Sequence, residues 1–157
     1  EINVNVDFTN PDAYPQGFPT TADANVTSGS YVFSGYTFAF DSSVPYCGQI
    51  TTAGQALCFD KLPKDNTVKI GLPRIEGYAP KTVTVGIHST TRTQKAKLAV
   101  KKDNIDITDW KYNNSAEIIY ELTDIDDVSE YCVCIKGYIG TYNCRLSSLS
   151  ITYGKLP

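Results

Sequence analysis

Three short stretches of this sequence alternate strictly between apolar residues and others, and they decide its fold: Thr82-Val83-Thr84-Val85-Gly86-Ile87-His88, Tyr131-Cys132-Val133-Cys134-Ile135 and Leu149-Ser150-Ile151-Thr152-Tyr153. Successive side chains of a β-strand point to opposite faces of a sheet, so strict alternation indicates a strand with one face in the core. In the second stretch, the two cysteines share the face opposite to the core. We expect these three stretches to form the central strands of the domain.

The rest of the chain repeats this kind of pattern at a regular spacing. Strands are predicted at 2–8, 31–33, 35–40, 46–51, 55–60, 67–72, 81–90, 95–101, 104–110, 115–123, 130–137 and 145–153. Turn-forming residues separate them at intervals of roughly 8–12 residues, which is typical of two packed antiparallel sheets. No segment has a 3.6-residue apolar period, and residues 9–30 are predicted to wrap over the surface without packing. The predicted fold is all-β, a two-sheet antiparallel β-sandwich.

The composition suits one domain. The chain has 157 residues, of which 41% are hydrophobic and 20% charged, and this predicts a single β-sandwich domain over residues 1–157. The final Gly154-Lys155-Leu156-Pro157 is similar to the start of a linker, so we expect the domain to be one module of a larger protein. A net charge of −3 argues against a nucleic-acid partner, because phosphate neutralisation needs a concentrated basic surface. The apolar runs are too short for membrane insertion.

The five cysteines are an odd number, so at least one of them has no partner within the chain. Cys47 and Cys58 flank a turn-like segment, as do Cys134 and Cys144, and a disulfide bond could close either hairpin. The alternative is that these cysteines pack as small apolar groups. The sequence leaves both alternatives open for each pair.

The order of motifs along the chain resembles a known family. The closing half carries Tyr120-Glu121-Leu122, the acidic turn Asp124-Ile125-Asp126-Asp127, a strand over 131–136, and Cys144-Arg145-Leu146-Ser147-Ser148-Leu149-Ser150-Ile151-Thr152-Tyr153. The opening carries Val6-Asp7-Phe8-Thr9, Gly35-Tyr36-Thr37-Phe38, Ala56-Leu57-Cys58-Phe59, Leu72-Pro73 and Lys81-Thr82-Val83-Thr84-Val85. Together they resemble the galactose-binding-like jelly-roll modules of secreted and surface glycan-handling proteins of gut Bacteroidetes.

This resemblance implies a noncatalytic carbohydrate-binding module, located outside the cytoplasm and acting beside other domains of the same chain. In such modules, carbohydrate binds to the loops at one end of the sandwich or to its concave face. Some members also hold a structural calcium. The alternative function is that of a structural or adhesive sandwich that mediates protein contacts.

Two clusters are candidate sugar-binding sites, because a sugar needs an exposed aromatic ring for its C–H face and polar groups for its hydroxyls. The first comprises Trp110, Tyr112, Asn113 and Asn114. Its alternative is a tryptophan that plugs the core beside an ordinary turn. The second comprises Arg74, Glu76 and Tyr78, where a guanidinium could bind ring hydroxyls. Its alternative is a rigid crossover between the sheets.

No residue pattern indicates an enzyme. His88 is the only histidine, and neither a nucleophile nor an orienting partner is signalled beside it. We therefore expect His88 at the surface or at a sheet edge, and we predict no catalytic residues.

Charged residues are segregated along the chain. Residues 81–102 hold six basic groups and no acid, whereas residues 103–130 hold nine acids and one lysine. The basic run predicts either a basic ligand groove or a solvated face that pairs with the acids. The aspartates at 103, 106 and 109 and at 124, 126 and 127 predict either a calcium site or turns that they cap.

Overall fold

The structure is a computed structural model that describes the backbone of residues 1–20, 28–41, 45–50 and 54–157, and the side chains of 1–20, 29–41 and 54–157. These residues form the strands β1 (Ile2–Asp7), β2 (Ser28–Phe33), β3 (Tyr36–Asp41), β4 (Pro45–Ile50), β5 (Gly54–Pro63), β6 (Thr67–Gly71), β7 (Tyr78–Ile87), β8 (Ala96–Lys102), β9 (Ile105–Asp106), β10 (Lys111–Tyr112), β11 (Glu117–Glu121), β12 (Tyr131–Gly137) and β13 (Thr141–Lys155). Two short 3-10 helices cover Pro11–Ala13 and Ser89–Thr91. Within the described ranges, no helix is long and apolar enough to cross a membrane.

The strands form two antiparallel sheets. One has six strands in the order β11-β7-β13-β5-β4, with β1 also paired to β13, and the other has seven in the order β10-β8-β12-β6-β3-β2, with β9 paired to β8. From β5 to β8 and again from β11 to β13, successive strands alternate between the two sheets, which is the path of a jelly roll. The prediction of an all-β, two-sheet antiparallel sandwich is therefore confirmed.

The three alternating stretches lie in the middle of the sheets, on β7, β12 and β13. Val83 of β7 pairs with Ile151 of β13, and Val85 pairs with Leu149. All four side chains are at most 1% exposed. Full burial of such a side chain contributes about 1.5–3 kcal/mol to stability. The alternation therefore places a continuous apolar layer between the sheets.

Two predicted segments differ from the structure. Phe18 lies in the segment predicted to wrap without packing, yet it is only 5% exposed, and its ring lies 4.8 Å from that of Tyr31 and 5.5 Å from that of Phe33. The predicted strand at 104–110 is shorter than expected. Asp103 and Asn104, both at positive φ, form the turn that leads into β9, and β9 pairs with β8 only through Ile105 and Asp106. The Thr108 hydroxyl then accepts a hydrogen bond from the Val100 amide, at a position where a backbone carbonyl would continue the ladder.

Of the two alternatives left open for Cys134 and Cys144, the disulfide is wrong. Both residues are free thiols; Cys134 lies on β12 and Cys144 on β13, in different sheets. Cys144 belongs to the apolar core between the sheets, and burial raises the pKa of its thiol to about 12. The side chain of Cys47 lies outside the described residues, so a Cys47–Cys58 bridge stays a prediction.

Candidate functional site

The outer face of the seven-stranded sheet combines small side chains with lysines. Because alternate residues of β12 point into the core, the residues between them point outward. The strand registers arrange these outward residues in three rows: Lys101, Cys132, Gly71 and Ala39; Ala99, Cys134, Lys69 and Asp41; and Lys97, Lys136 and Thr67. The face therefore has a floor of small residues with long basic side chains around it.

Trp110 lies on this outer face. The centre of its ring is 5.8 Å from Lys97 Nζ, 5.9 Å from Lys101 Nζ and 5.7 Å from Lys136 Nζ. The ring is partly exposed and is not part of the apolar core. Such contacts between an ammonium group and an aromatic ring contribute about 0.5–1 kcal/mol at exposed sites. The alternative of a tryptophan that plugs the core is therefore wrong.

Asp106 fixes the orientation of the tryptophan ring. The indole Nε1 donates a hydrogen bond of 2.8 Å to Asp106 Oδ2, and Lys101 Nζ lies 3.3 Å from Asp106 Oδ1. The hydrogen bond from Trp110, followed by the nearby lysines, lowers the pKa of the Asp106 carboxyl. The carboxylate therefore stays charged at neutral pH and holds the ring and one lysine together.

Two tyrosines extend the aromatic surface, and with Trp110 they form what we call the aromatic strip: Trp110, Tyr112 and Tyr138. The rings of Tyr112 and Tyr138 meet edge to face at 4.9 Å, and Tyr138 raises the pKa of the Tyr112 hydroxyl. Lys97 Nζ lies 5.7 Å from the centre of the Tyr138 ring, so this lysine bridges Tyr138 and Trp110. Tyr138 is 38% exposed and follows directly after β12.

Beside the aromatic strip, a cavity of about 510 Å³ opens over the floor of small residues; we call it the groove. Its lining comprises Thr37, Ala39, Asp41, Lys69, Gly71, Leu72, Arg74, Asn104, Glu130, Tyr131 and Cys132. A Cβ atom at Gly71 would lie 3.1 Å from both the Cβ and the carbonyl oxygen of Ala39, so glycine keeps this part of the floor open. Lys69 Nζ donates a hydrogen bond of 3.0 Å to Asn104 Oδ1 at the rim.

Arg74 and Tyr78 of the second predicted cluster lie apart in the structure. Arg74 lines the groove and donates a hydrogen bond of 3.4 Å to the carbonyl oxygen of Asp127. Tyr78 begins β7 in the other sheet and lines a crevice of only about 10 Å³, which is too small for a sugar ring. The segment between β6 and β7 is indeed a crossover between the sheets, and of the two residues only Arg74 faces the groove.

Asn113 does not fit its predicted role as a ligand contact. Its side chain is fully buried. Its oxygen accepts hydrogen bonds from the amides of Lys95 and Ala96 at 2.9 and 3.0 Å, and its nitrogen donates one of 2.7 Å to the carbonyl of Thr91. The amide group therefore links the backbone at Thr91, at residues 95–96 and at Asn113 itself. The prediction that Asn113 contacts the ligand is wrong.

The acidic segments form turns and ion pairs. Asp126 accepts hydrogen bonds from the Val128 and Ser129 amides and the Ser129 hydroxyl, which lower its pKa, and it pairs with Lys102 at 3.1 Å. Among the described residues, no three histidine, cysteine or acidic side chains come together as metal ligands. The arrangement of these acids fits the alternative of turns and does not fit a calcium site.

The prediction that His88 lies at the surface or at a sheet edge is also wrong, because its side chain is buried and it follows β7, an inner strand of its sheet. The side chain is 4% exposed, and its Nδ1 lies 2.8 Å from the hydroxyl of Thr90. His88 precedes the short helix Ser89–Thr91, where its ring caps the Thr90 amide. Its position is therefore explained by local structure.

The thiol of Cys132 provides a chemical test of the groove floor. Burial, together with the nearby Cys134, raises the pKa of Cys132 from 9.0 to about 11, and only the thiolate reacts with alkylating agents. We expect iodoacetamide to modify Cys132 about 100-fold more slowly at pH 7 than a thiol with the unshifted pKa. The rate should rise about tenfold per pH unit up to about pH 11, as followed by peptide mass spectrometry.

A Cys132→Ser variant identifies the Cys132 peptide in this experiment. Modification of Cys132 at pH 7 as fast as that of free cysteine would contradict the half-buried position of the thiol.

No protein-family model and no curated protein matches this chain. Among solved structures, it is similar to CBM86, a low-affinity xylan-binding module from the xylanolytic gut symbiont Roseburia intestinalis, with a TM-score of 0.48 and 14% identity over 98% of this chain and 97% of that one. It is also similar to the CBM36-1 domain of a multidomain xylanase from the hindgut metagenome of Trinervitermes trinervoides, with a TM-score of 0.45 and 10% identity over 99% of this chain and 100% of that one.

Proposed function

We propose that this chain is a noncatalytic carbohydrate-binding module, and that its binding surface is the outer face of the seven-stranded sheet. The observation that carries the proposal is the position of Trp110 and Tyr138, which flank Lys97 on one face, next to the groove of about 510 Å³. Concave sites with aromatic walls and a few polar groups are typical of ligand sites. The site that we propose keeps Trp110, Tyr112 and Arg74 from the sequence prediction.

Each part of this face matches one part of a sugar. The C–H face of a pyranose stacks on an indole or phenol ring, and Trp110 and Tyr138 supply two such rings. The hydroxyls need donors and acceptors, which Lys69, Arg74 and Asn104 supply along the groove. The small residues of the floor leave room for a chain of sugar units to lie along the sheet.

We also propose that the module works outside the cytoplasm, within a larger secreted or surface protein of a gut bacterium of the Bacteroidetes. The support for this is the resemblance of its motif order to galactose-binding-like modules. A glycan-degrading enzyme encoded in the same reading frame would agree with the proposal, and a cytoplasmic parent protein would overturn it.

The presence of a single tryptophan makes intrinsic fluorescence a specific test. We expect titration with soluble plant, host or microbial polysaccharides, xylan included, to shift or quench the Trp110 emission for at least one glycan. A stacked sugar replaces water over the indole ring and therefore changes its emission. Calorimetry on the same glycan should give a Kd in the micromolar to millimolar range, and the absence of any response across such a panel would overturn the proposal.

One observation favours the alternative of an adhesive domain. Ile139 and Tyr142, beside the aromatic strip, are 50% and 45% exposed, and exposed apolar clusters are typical of protein contacts. This alternative predicts concentration-dependent self-association in sedimentation experiments that Ile139→Ser abolishes. A protein that stays monomeric and binds a glycan would exclude it.

A further inference from the structure

We propose that the glycan bound at this face carries an acidic substituent, a carboxylate or a sulfate, which lies among the lysines around Trp110. This inference rests on the proposed function and adds the chemical class of the ligand. It begins from Lys97 of β8 and Lys136 of β12, which are paired directly across the two strands. Like charges at opposite positions of an antiparallel pair are destabilising.

The charge of this pair is not balanced within the described part of the chain. The ion pairs formed by lysines there are Lys81–Glu1, Lys101–Asp106 and Lys102–Asp126, and none of them involves Lys97 or Lys136. Asp106 is the acidic group of the cluster, and it is engaged by Trp110 and Lys101 at 2.8 and 3.3 Å. Three ammonium groups around one ring therefore share one carboxylate, which leaves a local charge of about +2.

The geometry places this charge beside a stacked ligand. All three Nζ atoms lie between 5.7 and 5.9 Å from the centre of the Trp110 ring. A sugar stacked on that ring would bring its ring substituents within reach of Lys97 and Lys136. An acidic substituent would accept charge-assisted hydrogen bonds there, which are roughly twice as strong as those of a hydroxyl.

The groove limits how many acidic groups the ligand carries. Asp41 and Glu130 line it together with Lys69 and Arg74, so the formal charges of its lining cancel. A polymer with a negative charge on every unit would therefore gain no net attraction once it left the lysine cluster. The ligand that fits has neutral sugar units in the groove and an isolated acidic group at the aromatic strip.

The test compares polysaccharides that share a backbone and of which one member carries an acidic substituent, by titration of the Trp110 fluorescence. Suitable pairs are hydroxyethyl cellulose with carboxymethyl cellulose of low substitution, dextran with lightly sulfated dextran, and galactomannan with partly C6-oxidised galactomannan. For each backbone that binds, we expect the acidic member to bind at least about tenfold more tightly at about 20 mM NaCl, with the ratio approaching one at 1 M NaCl. Comparison of the carboxylated pairs with the sulfated pair shows whether a carboxylate or a sulfate gives the tighter binding.

Substitution of the lysines tests the assignment to this cluster. In the double variant Lys97→Gln/Lys136→Gln, the affinity for the acidic glycan should fall more than that for the neutral one, so that their ratio approaches one, and circular dichroism verifies its fold. Lys155→Gln, which removes an exposed charge at the end of β13, is the matched control and should keep the preference.

Four results would overturn the inference. Equal affinity for both members of every pair that binds would overturn the inference of an acidic ligand and leave the proposed function intact. The absence of binding to neutral and acidic glycans alike would overturn both the inference and the proposed function. If heparin or single-stranded DNA binds as tightly as the acidic member of the glycan pair, the surface binds polyanions in general. A loss of preference in Lys155→Gln equal to that in the double variant would indicate a bulk charge effect.

Discussion

Replacement of Trp110 by alanine is expected to weaken glycan binding by about 30-fold or more, which corresponds to about 2 kcal/mol. The substitution removes the stacking ring and the ring that three lysine side chains approach within 6 Å. It also releases Asp106 from the indole Nε1. Calorimetric titration with the glycan found by fluorescence measures the loss, and the fold of the variant is verified by circular dichroism.

Two variants make this result specific. Trp110→Phe keeps a ring but not the hydrogen bond to Asp106, so it should retain part of the affinity. Ile119→Ala removes an apolar side chain that is 49% exposed on β11 of the other sheet, and it should leave binding unchanged. If Trp110→Ala binds as tightly as the original protein while folded, the glycan does not bind at the aromatic strip.

Replacement of Asn113 by alanine is expected to destabilise the fold by about 3–5 kcal/mol. The side chain accepts two backbone hydrogen bonds and donates a third in a site that is closed to water. Each buried polar group that loses its partner costs about 1–3 kcal/mol. For a domain of this size, the melting temperature should fall by about 10 °C, as measured by scanning calorimetry.

The neighbouring residue is the matched control. Asn114 is exposed, and Asn114→Ala should change the free energy of unfolding by less than about 0.5 kcal/mol. If the two variants have the same stability, the buried amide of Asn113 does not hold the three backbone segments together.

The fold follows from local patterns, whereas the site does not. Alternation in β7, β12 and β13 depends only on neighbouring residues, and it predicts which side chains enter the core. Lys69 and Tyr138 come close to the rest of the site because β12 pairs with β6 and with β8, which are distant from it in the sequence. The register of such a pairing cannot be predicted from the residues next to Lys69 or Tyr138. Trp110 was predicted because an aromatic residue in a polar turn is itself a local signal.

The wrong site prediction at Asn113 has a related cause. An asparagine beside a tyrosine in a turn has the same local sequence whether its amide faces solvent or backbone. Only the approach of Thr91, 22 residues away, determines which of the two occurs. The chance alternation of 104–110 misled the strand prediction in a similar way, since the pairing with β8 ends after Asp106, where the Thr108 hydroxyl accepts the hydrogen bond of the Val100 amide.

The pairing of β1 with β13 bears on access to the proposed binding surface. Ile2 lies opposite Tyr153, so the first and last strands lie side by side in the six-stranded sheet. The aromatic strip and the groove lie on the outer face of the seven-stranded sheet. Neither β1 nor β13 therefore covers the surface that we propose for carbohydrate binding.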